Sequence, residues 1–134
     1  MSTAGGPSPK AMIVAEWVSK AEGDLDVAQR EFAYSGRRNL DAVGFHLQQA
    51  IEKLMKAVLI DRGFTVPKIH ELETLDQLLT AVAAIGPTAP KADLALLTRA
   101  AVTFRYPGAT VSAQDAADMV RITQSVWAQL RPLV

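Results

Sequence analysis

LDAVGFHLQQAIEKLMKAVLIDR, residues 40–62, carries Leu40, Val43, Leu47, Ile51, Leu54 and Val58 at steps of three and four. That spacing places all six on one side of a helix of about six turns, roughly 33 Å long. Gly63 supplies a stop, and FTVP at 64–67 reads as an extended connector, because the residue before a proline resists helix. The other side of the same helix is polar. His46, Gln49, Lys53 and Lys56 recur at three and four, and Gln48, Glu52 and Lys56 form an adjoining ladder. Two readings fit this ladder. One is a solvated face on which Glu52 and Lys56 pair for little gain; the other is a hydrogen-bonding, cationic strip facing a partner or a nucleotide. Taken alone, His46 between Phe45 and Leu47 reads as a partly buried histidine with its hydrogen bonds satisfied.

Helical stripes continue on both sides of this segment. Upstream, Val14, Trp17, Ala21, Leu25, Ala28 and Phe32 repeat with the same period and stop near Tyr34, before Ser35 and Gly36. Downstream, Leu72, Leu75, Leu79 and Val82 form a third stripe, closed by Gly86-Pro87. Leu94, Leu97, Ala101 and Phe104 form a fourth after Pro90, broken at Tyr106-Pro107-Gly108. Ser112 with Asp115 three residues on resembles a capping box, and Ala116, Met119, Thr123, Val126 and Leu130 then face inward, with Val120 and Trp127 off that stripe. No segment alternates with period two, and no repeat is visible. The expectation is an all-α, up-and-down bundle of four long helices plus one shorter one. Residues 10–134 form its single domain, behind a disordered tail, MSTAGGPSP, at 1–9.

Composition narrows the chemistry. Lys plus Arg and Asp plus Glu each number 14 in 134 residues, so the chain is formally neutral and any polyanion contact must come from a local patch. Cysteine is absent, which excludes disulfides, thiol nucleophiles and thiolate metal sites. With two histidines, one subunit cannot build a three-histidine metal centre. Neither a phosphate loop, a dinucleotide fingerprint, a serine elbow nor a zinc-protease motif is present, nor is a DNA-binding motif. No cofactor or metal is expected. The tail has no basic start and no apolar run, and no apolar stretch is long enough to span a bilayer, so a cytoplasmic protein is the default expectation.

Two further positions attract attention. His70 lies just before the third helix and suits a loop organised by its hydrogen bonds, or a ligand contact. FRYPG at 104–108 puts Arg105 and Tyr106 where a helix breaks. An arginine there can fork onto phosphate or cap carbonyls, and a tyrosine can stack on a base or fill a groove.

The order of these blocks resembles the HEPN family (higher eukaryotes and prokaryotes nucleotide-binding). They run W-x3-A-x2-D-L from Trp17 to Leu25, FHLQQAIEKLMKAVLI at 45–60, PKIHEL at 67–72 and FRYP at 104–107. The resemblance covers about residues 12–130 and implies an all-α bundle, usually a two-fold dimer, often encoded beside a minimal nucleotidyltransferase in toxin–antitoxin pairs. Many members are metal-independent ribonucleases, whose motif is an arginine followed, after about four to six residues, by a histidine that assists proton transfer. Here Arg105 lies in the right region, but Thr110, Val111 and Ser112 stand where the histidine belongs, and no histidine follows anywhere. The resemblance therefore implies a non-catalytic nucleotide- or RNA-binding or regulatory module, a homodimer paired with a nucleotidyltransferase. The expected contacts are Arg105, Tyr106, His46, Gln49, Lys53, Lys56 and His70. The alternatives are a ribonuclease using His46 or His70 with Arg105, and a structural adaptor pairing through Val120 and Trp127.

Overall fold

The computed structural model describes residues 5–66 and 68–134, and among them are five α-helices and no strand. They are α1 (Pro9–Ala33), α2 (Leu40–Asp61), α3 (Leu72–Ala83), α4 (Lys91–Ala101) and α5 (Ala113–Leu130). The chain is all-α, as its periodicity requires. Three helices are long, at 25, 22 and 18 residues, and α3 and α4 span 12 and 11. Of the expected tail, residues 1–4 lie outside the described residues. Ser8 already belongs to the helix start, its side chain accepting the Ala11 N–H with Pro9 as the first helical residue.

The organising element is α2, which packs against every other helix, whereas α1 meets the bundle chiefly through α2. Val43, Leu47, Ile51, Leu54 and Val58 of the decisive stripe are buried, but so are Ala50, Met55, Ala57 and Leu59. A helix surrounded on nearly all sides has no fully solvated face. α1 runs antiparallel to α2 and carries Val14, Val18, Ala21 and Ala28 into their interface. On α5, Ser112 caps the first turn by accepting the Asp115 N–H, and the inward stripe read from the sequence is buried throughout. At α3 the last residue of the predicted stripe departs: Val82 is exposed, one residue before the helix ends at Ala83. α4 ends at Ala101, before the predicted break. β-branched Val102 and Thr103 follow, and the chain continues as a single 3₁₀ turn, Thr103–Arg105, that still buries Phe104.

Two glycines test this packing in opposite directions. A methyl at Gly44 would lie 3.1 Å from both Ala100 Cβ and Met119 Sδ, so α2 passes α4 and α5 there at backbone distance. Gly23, in the interior of α1, has nothing within 4 Å of the same position. Gly44→Val should therefore destabilise the fold by about 1–3 kcal/mol through overpacking. Gly23→Ala should stabilise it by about 0.5–1 kcal/mol through helix propensity. Urea denaturation of the two variants checks both signs.

Candidate functional site

Burial of α2 forces its polar residues to find partners inside the bundle, and they do so in two groups. The inner group centres on Glu52, which is only 6% exposed. Its Oε1 accepts from Gln48 Nε2 at 3.0 Å, and its Oε2 meets Lys56 Nζ and His70 Nδ1, each at 3.0 Å. Gln48 Nε2 also donates to the His70 carbonyl, and Gln49 Nε2 donates to Gln48 Oε1. The Lys56 ammonium, equally buried, lies 6.0 Å from the centre of the Trp17 ring. The ladder of Gln48, Glu52 and Lys56 is thus interior rather than the solvated face that one reading of the sequence allows. The reason is topological: the loop carrying His70 and the Trp17 face of α1 both cover it. His70 organises that loop through its ring and its carbonyl, while most of its side chain stays in solvent.

Burial pushes the Glu52 carboxyl upward, but the hydrogen bonds from Gln48, His70 and Lys56, with the Lys56 charge, outweigh it and hold its pKa below the usual value of 4.5.

The outer group lies along the half-buried edge of α2. Asp24 of α1 accepts from His46 Nδ1 at 2.8 Å through one oxygen and from Lys53 Nζ through the other. His46 and Lys53 are seven residues apart, two turns on one face, so a single carboxylate from the facing helix bridges them. His46 stands edge-on to Phe45, centroids 5.3 Å apart, and the Arg105 guanidinium lies over the same Phe45 ring at 5.1 Å. His46, Lys53 and Arg105 are therefore gathered along one edge, connected by Asp24 and Phe45. His46 and Lys53 keep 30% and 24% of their side chains in solvent, and Arg105 is exposed. Arg105 forms no ion pair and caps no carbonyl among the described residues. Tyr106 fills no groove, being 65% exposed.

Of the seven candidate residues, the structure brings His46, Lys53 and Arg105 together at the surface and draws Gln49, Lys56 and His70 into the Glu52 group. Tyr106 joins neither by a hydrogen bond. Asp24 and Glu52 organise the two groups, and neither was among those candidates. Asp24 stood inside W-x3-A-x2-D-L with no partner visible, since its partners lie 22 and 29 residues away. Among the described residues no three histidine or carboxylate side chains converge as a metal's ligand set, and no helix is long and apolar enough to cross a membrane.

A five-helix domain built around one buried helix, with two polar groups along it, defines the structural class. The HEPN domain profile matches residues 14–132, nearly the whole chain, and the chain belongs to the HEPN domain family. Comparison with the curated proteins and with the solved structures finds no match.

Glu52 gives this arrangement a pH signature. A carboxyl whose pKa is lower in the folded chain than in the unfolded one adds stability that is complete above the unfolded value, near 4.5. That contribution disappears as pH falls through the lower folded value. Glu52→Gln leaves the Lys56 ammonium buried without its counter-charge and should cost about 3 kcal/mol at pH 7. The gap between the two proteins in thermal melts should then narrow steadily below pH 4.5. A gap that stays constant down to pH 3 would show that the carboxylate form is not what holds the loop.

Proposed function

We propose that this HEPN domain binds nucleotide or RNA phosphates along the outer edge of α2 and acts as a homodimeric binding or regulatory module rather than through the family's nuclease motif. The observation that carries this reading is the grouping of Arg105, His46 and Lys53 on one accessible edge, in a chain with no histidine after Arg105. A guanidinium over the Phe45 ring, with no ion pair among the described residues, keeps its N–H donors available for phosphate oxygens. Lys53 adds a cation that Asp24 partly offsets. Because the whole chain is neutral, attraction of a polyanion must be focused, and a two-fold dimer that pairs the edges would double the local charge. A minimal nucleotidyltransferase as cognate partner rests on the family resemblance.

A second reading has one observation in its favour. Asp24 holds His46 by Nδ1, which leaves Nε2 without a partner among the described residues. An imidazole oriented by a carboxylate, with a guanidinium nearby, is how a general base for phosphodiester cleavage is commonly built. Incubation of single-stranded RNA with the purified protein separates the two readings. Cleavage lost in His46→Ala favours the enzyme, and absent cleavage with measurable binding favours the module.

For the binding reading, Arg105→Ala should weaken the affinity for a short single-stranded RNA about tenfold and reduce the slope of log affinity against log salt by about one. Arg121→Ala, on the exposed side of α5, should change neither. Fluorescence anisotropy across a salt series reads both quantities. No detectable binding by the parent protein would remove the proposal, and a strict monomer in light scattering would remove its dimer.

A further inference from the structure

We infer that the cleft between the α1–α2 loop and the loop preceding α5 is a nucleobase pocket that prefers guanine. This rests on the reading of Arg105 as a phosphate contact. The cleft has a volume of about 460 Å³ and is lined by Arg37, Arg38, Leu40, Asp41 and Val111 among others. That space suits a nucleoside better than a bare anion. Asp41 lies one helical turn before Phe45, about 6 Å along the α2 axis. One wall of the cleft and the ring that carries Arg105 therefore lie a single turn apart on α2, a separation that one nucleotide's base and phosphate could span.

The chemistry of the lining is mixed in a way that argues against a simple anion site. Asp41 Oδ1 accepts the Val111 N–H at 2.7 Å, which ties the two walls together, while Oδ2 has no hydrogen bond among the described residues. The Arg38 guanidinium is fixed, lying 5.0 Å over the Phe32 ring and donating to the Phe32 carbonyl at 3.0 Å. Arg37 is exposed and forms no ion pair among the described residues. Leu40 and Val111 supply apolar surface for the faces of a flat ring. A free carboxylate oxygen and guanidinium donors in the lining of one cleft complement guanine, whose N1–H and N2–H donate and whose O6 and N7 accept. Adenine presents an acceptor to the carboxylate and an amino group where guanine has O6, so the carboxylate contact becomes repulsive and the guanidinium keeps only N7.

Binding of 5′-GMP and 5′-AMP to the full chain, by calorimetry at fixed salt, tests this. The parent protein should bind GMP about tenfold more tightly than AMP, the discrimination of one well-made base contact. Asp41→Asn keeps an oxygen for the Val111 N–H but turns the free lobe into a donor, and should bring the two affinities close together. Arg37→Ala, at an exposed position that the fold does not depend on, should also lower the GMP preference. Equal affinities in the parent protein, or a GMP preference untouched by both substitutions, would overturn the guanine pocket. Arg105-dependent binding of both nucleotides would then leave the phosphate reading standing. If neither nucleotide binds while RNA does, the pocket fails and the edge remains; if nothing binds, both fail.

Discussion

The fold depends on a carboxylate that is almost wholly buried. Glu52 sits near the middle of the most buried helix in the chain, and a bare charge there would cost several kcal/mol. It is tolerated because three donors from two different parts of the chain converge on it, two from its own helix and one from the α2–α3 loop. The same contacts decide where the loop goes. His70 is held by its ring and its carbonyl at once, so α3 starts at a fixed height against α2. Its first turn is then completed from outside, Leu72 N–H donating to Thr98 Oγ1 and Thr98 in turn donating to Glu73. Hydrophobic stripes provide most of the free energy of the bundle, but they leave neighbouring helices free to slide by a turn. Polar contacts that must be satisfied fix the register.

Much of this was legible from the sequence, and the reason is local. A stripe such as Leu47, Ile51, Leu54 and Val58 depends only on the helical period, and so does the Ser112 cap of α5. What one sequence cannot display is which face of a helix with two polar ladders will be covered. Gln48, Glu52 and Lys56 look like a solvated salt-bridge ladder because the residues that cover them, Trp17 and His70, are 35 and 18 residues away from Glu52. The same distance hides Asp24. An aspartate on an amphipathic helix carries no mark of its partners until the facing helix is set beside it in antiparallel register. Arg105 was visible as an arginine at a helix break, but its seat on Phe45 requires α4 and α2 to be packed.

The two polar groups divide α2 between a buried face and an accessible one. Lys56 and Lys53 are three residues apart and chemically identical, yet one is buried against Glu52 and Trp17 while the other reaches the surface beside His46. Their order along the helix does not distinguish them; their angle around it does, because three residues rotate a side chain by about 60° from its starting direction. Gln48 and Gln49 show the same split over a single step, with Gln49 at the boundary and donating inward. A polar helix face in a small bundle is therefore not one functional surface.

This division also leaves one group of charged side chains accessible in a domain without the usual motif histidine. The inner residues are buried and tied to one another: Glu52 accepts from Gln48, Lys56 and His70, so a ligand that took its carboxylate would have to displace those contacts. The outer edge is different, because its polar groups are held in place while part of each stays in solvent. Asp24 orients His46 and Lys53 while leaving part of each in solvent, and Phe45 supports the Arg105 guanidinium by its ring face rather than by taking its hydrogen bonds. Such groups have already lost much of their rotamer freedom, so a phosphate that reaches them orders less side chain on binding.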